Sequence, residues 1–229
     1  MKKTGSFFLA LAVMLFLSIP AFADSEITVT GTGEVLVPAD SAVVSLGVTA
    51  TDTEVLAAQA AANEAIDAIR AALVANGIDE ADIITDYINI YAMYDYSGSM
   101  EKLSAYNANS TLAIRVRDIE KVGEVIDNAF GAGANTLHGI SFSATDTKEA
   151  REKALKLAVA NAQAKAEVLA EAAGLVLRGI EEINEQNTYS YDRGLLNDVE
   201  GAQKMSGTTV QAARLTVSSS ITVTFKADR

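Results

Sequence analysis

Along the chain a two-residue alternation of apolar and polar positions repeatedly gives way to a three-to-four-residue one, and each change of period marks an expected element. Ile27, Val29, Gly31, Gly33, Val35 and Val37 alternate with Thr28, Thr30, Thr32, Glu34 and Leu36, which predicts a strand weakened or bulged at its glycines. Pro38-Ala39-Asp40 breaks it, and Ser41 to Thr51 alternates again through Val43 or Val44, Leu46 and Val48, so two strands meet in a hairpin or a tight corner. Thr51-Asp52-Thr53-Glu54 reads as a capping box before a helix with Val55, Leu56, Ala62, Ile66, Ile69 and Leu73 inward and Gly77 as its stop. Ile83 to Tyr94 and Leu103 to Val116 alternate on either side of a polar, glycine-containing stretch, which predicts a long hairpin with an adaptable tip. Asp118 caps a shorter helix ended by Gly131-Ala132-Gly133, and Asn135 to Ala144 returns as a strand.

The longest helical pattern runs from Asp146 to Ala173, with Asp146 as cap, Glu149 reaching back and Gly174 as the left-handed stop. Ala154, Leu155, Ala158, Val159, Ala162, Ala166, Leu169 and Ala173 form its apolar stripe, opposite Lys153, Lys156, Lys165 and Glu167. Because alanine dominates, the backbone of this helix can approach its partner closely. Leu175 to Ile183 follows as a strand, Asn184 to Gly207 as a long mobile loop or excursion, and Gln211 to Lys226 as the clearest strand of all, with a central or sheet-closing place. The order strand, strand, helix, strand, strand, helix, strand, helix, strand, strand predicts an α+β fold: an antiparallel-rich β-sheet with long amphipathic helices packed on one face.

Composition changes this picture at the N-terminus first. Lys2 and Lys3, an apolar run from Phe7 to Ile19 and Ala21-Phe22-Ala23 predict a signal peptide over residues 1–23, with the mature domain over 24–229. The apolar run is shorter than a bilayer span of about 20 residues, and no other segment approaches that length. Cysteine is absent, which excludes a lipid-anchored cysteine, a disulfide framework and thiolate chemistry. Without the leader's two lysines the formal charge moves from −12 to −14, so nucleic acid and anionic lipid are repelled rather than attracted.

Four stretches together give the mature chain a recognisable signature. They are Ile27 to Val35 leading to Pro38; Asn76-Gly77-Ile78 with Asp82-Ile83; Val116-Arg117-Asp118 with Val122 to Asp127 and on to Gly139-Ile140-Ser141-Phe142; and Ala154-Leu155 through Ala164-Lys165-Ala166 to Gly174-Leu175. In these the chain resembles the SIMPL-domain family of bacterial exported proteins, which includes periplasmic and outer-membrane immunogenic proteins. It departs from the family where Ala39 separates Pro38 from Asp40. The resemblance implies an α+β, SIMPL-like fold, export, ring-like or channel-like oligomers in some members, and an association with the envelope and oxidative stress. It implies no agreed catalytic site.

Candidate chemistry is sparse. Gly31-Thr32-Gly33 lacks the third glycine and the following helix of a dinucleotide loop, and Gly131-Ala132-Gly133 ends a helix instead of opening one. His138 is the sole histidine, so a metal site would need it plus carboxylates, and no nucleophile elbow accompanies it. The acidic clusters Asp79, Glu80, Asp82 and Glu181, Glu182, Glu185 lack calcium-loop spacing. No catalytic residue, metal or cofactor is therefore expected.

The tyrosines are distributed unevenly: Tyr87, Tyr91, Tyr94, Tyr96 and Tyr106 fall on the predicted hairpin, and Tyr189 and Tyr191 in the late loop. Large amphipathic rings so placed form a candidate interface, with cross-strand packing as the plain alternative. The expectation is a non-enzymatic exported protein that forms a homo-oligomer in the envelope, has scope for peripheral association with it, and protects against envelope or oxidative stress. Its location is the periplasm if the host is Gram-negative, and otherwise the medium or cell surface. The alternative is a small-ligand binder or a carboxylate-based enzyme.

Overall fold

The computed structural model describes residues 25–97, 101–186, 191–193, 208, 210, 211 and 214–229. The predicted leader, Tyr189 and most of the predicted late loop lie outside the described residues. The elements are β1 (Ser25–Pro38), β2 (Ser41–Asp52), α1 (Val55–Ala75), β3 (Ile83–Asp95), β4 (Lys102–Val116), α2 (Val122–Gly131), β5 (Thr136–Ser143), α3 (Lys148–Ala173), β6 (Val176–Gln186), β7 (Tyr191–Arg193) and β8 (Arg214–Asp228). Single 3-10 turns, Glu80–Asp82 and Ile119–Lys121, precede β3 and α2. The fold is α+β, and β2–β4, β2–β5, β3–β4, β6–β8 and β7–β8 all pair antiparallel.

Two sheets form where one was expected: β1-β8-β6, with β7 also on β8, and β3-β4-β2-β5. The first two strands therefore make a corner and not a hairpin, since β1 pairs with β8 while β2 inserts between β4 and β5. Asp40 fixes that corner. Its carboxylate accepts hydrogen bonds from the Thr145 amide at 3.0 Å, the Thr145 hydroxyl at 3.0 Å and the Ser41 hydroxyl at 2.8 Å, and its own amide donates to the Ser143 carbonyl at 3.0 Å.

The Thr145 amide above all holds the Asp40 carboxyl below the usual carboxylate range; burial, the next largest effect, opposes it, and the Ser41 and Thr145 hydroxyls add to the lowering. A carboxyl lowered on folding contributes stability that is present above its unfolded pKa of about 3.9 and is lost as pH falls through the folded value. Asp40→Asn is accordingly expected to lower Tm at neutral pH by about 2–4 °C, as a loss of about 1 kcal/mol does at this size, and to lower it less at pH 3. Thermal melts at the two pH values measure both.

The chain divides into two compact units. The larger comprises Gly33–Leu157 and the described part of Asn187–Ser219. Its core packs Val44 and Leu46 of β2 and Leu112 and Ile114 of β4 against Ile66, Ile69 and Leu73 of α1 and Val122, Val125 and Ile126 of α2. Helix α1 turns Ala58 inward and leaves Val55 and Leu56 exposed, contrary to the expected stripe. The reason is at its start. Thr51 and Asp52 still pair with Asn107 and Tyr106 of β4, so the helix begins later than the capping box implied, and Asp52 accepts from the Glu54 amide at 2.9 Å.

The smaller unit comprises residues 25–32, Ala158–Gln186 and Ser220–Arg229. Ile221, Val223, Phe225 and Ala227 alternate as the buried face of β8. Along α3, Ala150, Ala154, Ala158, Ala162, Ala166 and Ala170 are buried, a line of single alanines narrower than the expected stripe, and Leu169 and Ala173 face solvent.

The three helices among the described residues stop in one geometry. Gly77, Gly133 and Gly174 have φ of 88°, 113° and 66°, and the residue after each donates its amide to the carbonyl five positions back, at 3.1, 2.9 and 2.8 Å. A side chain at these positions would strain the backbone, which is why glycine closes each helix.

Candidate functional site

Each sheet has strands at its edges, and the chain treats them differently. An unpaired edge is a template for another chain and is usually shielded by a covering element, charges or shortness. On β1, α3 supplies the cover: Lys165 Nζ donates to the Thr30 carbonyl at 2.8 Å, and the Thr32 amide donates to Asn161 Oδ1 at 3.1 Å. Strand β6 carries Arg178, Glu181, Glu182 and Glu185, of which Arg178 and Glu181 pair with Asp228 and Lys226 of β8. Strand β5 has only 8 residues and its pairing with β2 is interrupted.

Strand β3 has none of these protections along most of its 13 residues. It contains no lysine, arginine or proline, and among the described residues nothing pairs with its outer edge. Asp86 sits in the register shift between Thr85 and Tyr87, and Asp95 is the last residue. Between these two acids run Tyr87, Ile88, Tyr91, Met93 and Tyr94, all exposed, with Ile88 at 59 %.

Pairing assigns these side chains to faces, because directly opposed residues of an antiparallel pair project to the same side. Tyr87 stands opposite Thr111, Asn89 opposite Asn109 and Tyr91 opposite Asn107, and these residues continue across β2 to Gly47, Thr49 and Thr51. This is the face away from the helices, since Leu112 and Ile114 of β4 project the other way into the core. Its three rows contain no charged residue in a chain with a formal charge of −12.

Polar groups on this face are tied laterally. Thr49 Oγ1 donates to Asn109 Oδ1, Asn107 Nδ2 donates to Thr51 Oγ1 at 3.2 Å, and Thr111 Oγ1 lies 3.2 Å from His138 Nε2. Asn107 Oδ1, in the row of Tyr91, is buried and meets no donor among the described residues.

The described ends of the two hairpin arms are fastened. The Ser97 amide donates to Asp95 Oδ1 at 2.8 Å, which holds the Asp95 carboxyl below its ordinary range. Tyr96 Oη donates to Glu101 Oε1 at 2.9 Å, and this bond, more than burial or the nearby Tyr94, pushes the Tyr96 phenol up. Tyr96 is 72 % exposed despite that bond.

The five tyrosines of the hairpin thus do not form one patch. Tyr87 and Tyr91 share the open face, Tyr94 and Tyr96 stand exposed at the hairpin end, and Tyr106 is half-buried on the helix side against Ala58, Ala62 and Ala108. Tyr191 lies on β7, and Tyr189 is outside the described residues. Sequence periodicity grouped Tyr106 with the others because it counts residues along one strand, whereas its place follows from pairing with Ala92 of the neighbouring strand. It also passed over the exposed Ile84 and Ile88, whose types suit a core as well as a surface.

Other sequence candidates resolve into structural roles. Gly31 is packed against α3. Among the described residues no group of three or more histidine, cysteine, aspartate or glutamate side chains converges to hold a metal ion, and no helix is long and apolar enough to cross a membrane.

The model of the family described as SIMPL, "Protein of unknown function (DUF541)", matches residues 27–225. A "26 kDa periplasmic immunogenic protein" of Brucella melitensis biotype 1 is 33 % identical over 181 residues, 73 % of this chain and 72 % of that one. The "Uncharacterized protein YggE" of Escherichia coli K12 is 27 % identical over 168 residues, 71 % of this chain and 68 % of that one. The protein of the same description in Edwardsiella ictaluri is 27 % identical over 155 residues, 66 % and 64 % of the respective chains. Neither description is that of an enzyme.

Proposed function

The chain belongs to the SIMPL family, and from that premise we propose that it is an exported, non-enzymatic envelope protein that assembles with copies of itself through the free edge of β3 and the tyrosines beside it. The observation that carries this reading is the contrast among the sheet edges. The edges of β1, β5 and β6 are covered, short or charged, while β3 presents an apolar, aromatic one. Edge pairing supplies backbone hydrogen bonds, and flanking aromatic rings add contact area at low cost in side-chain entropy.

The name of the Brucella relative supports export to the periplasm if the host has an outer membrane, and to the medium or cell surface otherwise. The predicted leader and a mature domain over 24–229 agree with that destination. Protection of the envelope under oxidative or other stress is the role proposed for the assembly. Light scattering after size exclusion tests the first step. The chain from Asp24 to Arg229 is expected to elute as one discrete oligomer, and a Tyr94→Ala/Tyr96→Ala variant as smaller species. A monomer in both cases removes the assembly reading.

A further inference from the structure

The second feature with the form of a site lies in the larger unit, where β4 ends. Pairing of Ile83 with Ile114 brings the turn Glu80–Asp82 beside the residues that leave β4, although some 35 positions separate them in sequence. Between them opens a depression of about 280 Å³ with Ile78 and Val116 in its wall. That is close to the lower end of ligand pockets, about 300 Å³, and suits a compact molecule.

Three cations line it: Arg115, Arg117 and Lys121. The carboxylates in the same wall are each engaged. Asp79 accepts from the Ala81 amide at 3.0 Å and Asp118 from the Glu120 amide at 3.2 Å, each capping a 3-10 turn. Asp82, 8 % exposed, accepts two parallel bonds from Arg117, from Nε at 2.8 Å and from Nη2 at 3.0 Å. This fork holds the Asp82 carboxyl below its usual range, with a further contribution from nearby Arg115, and fixes the Arg117 plane with N–H groups still unused.

The side chains of Arg115 and Lys121 have no ion pair or hydrogen bond among the described residues. Helix α2 begins at Val122, directly after Lys121, so its positive end adds to the same field. We infer that this depression binds a small organic oxyanion, a carboxylate or phosphate group on a compact apolar body. Arg115 and Lys121 contact the oxyanion, Asp82 positions Arg117 beside them, and Ile78 and Val116 meet the apolar part. The site lies within a single chain and does not depend on assembly, so it is expected to persist in the Tyr94→Ala/Tyr96→Ala variant.

Amide NMR spectra of the chain from Asp24 to Arg229 carrying Tyr94→Ala/Tyr96→Ala, titrated separately with phenyl phosphate, benzoate and inorganic phosphate, test the assignment. Phenyl phosphate or benzoate is expected to give saturable shifts at Gly77, Ile78, Val116 and Lys121, and the tighter of the two identifies the headgroup. Arg115→Gln and Lys121→Gln are each expected to weaken it about tenfold to a hundredfold, as loss of one charged hydrogen bond does, while Glu181→Gln on β6 leaves it unchanged. Equal affinity for inorganic phosphate and phenyl phosphate, with benzoate no tighter, would remove the apolar body from the assignment. No saturable shift with any probe overturns the site, as does undiminished binding by both glutamine variants with otherwise native spectra.

Discussion

Gly31→Val is expected to destabilise the protein by about 3 kcal/mol, a fall of roughly 6–12 °C in Tm, with Gly31→Ala costing less. The cause is the closeness of β1 to α3. A Cβ on Gly31 would overlap the Ala158 carbonyl oxygen and stand 2.7 Å from Ala162 Cβ and 2.8 Å from the Ala162 amide nitrogen. Two of those three atoms belong to a helix backbone that cannot rotate aside. The strand must move, and the bonds from Lys165 to the Thr30 carbonyl and from the Thr32 amide to Asn161 break with it. Ala162→Gly in the same chain is expected to recover only part of the loss, because the Ala158 carbonyl stays in place. Circular dichroism melts of the three variants measure the effect. A Gly31→Val chain that melts with the parent contradicts the close packing.

Tyr91→Lys is expected to convert the assembly to monomer with a change in Tm no larger than about 0.5 kcal/mol would give. Tyr91 lies between the two acids of β3 on the uncharged face, so in an antiparallel pair of copies centred near this residue two ammonium groups stand opposite each other. Within one chain the new side chain has solvent to reach, since Tyr91 is already exposed. Charges are the means by which β6 is kept unpaired, and the substitution gives β3 the same protection. Glu182→Lys on β6 is the control and is expected to leave the mass unchanged.

The order of elements was legible in the sequence except for β7, which lies where a loop was expected, because a change of period marks where one element gives way to the next. The glycines ending each helix were legible too, since only glycine takes those φ values without strain. What periodicity could not supply is pairing between distant segments. It left a hairpin and a tight corner equally open for β1 and β2, because their partners, β8 and β4, are remote in sequence. It saw Gly31 as a weak point in a strand, while the reason for glycine there is a helix more than a hundred residues on.

For the same reason Asp40 read only as part of a break, its partner Thr145 lying on the far side of the chain. The inward turn of Ala58 in place of Leu56 was hidden because small and large apolar residues score alike in a stripe. At the candidate interface the tyrosines were visible as a cluster. The feature that gives them meaning, an edge strand without the protections of its counterparts, emerges only when the strand order is known.

The most direct test of that edge is hydrogen exchange of the β3 amides at residues 83–95, followed at high and low protein concentration. If copies join through this strand, its outward amides are protected at high concentration and exchange quickly on dilution or in Tyr91→Lys, while the amides of β6 stay the same. Protection that rises with concentration on β6 or elsewhere, with β3 unchanged, places the interface on another surface and contradicts the account.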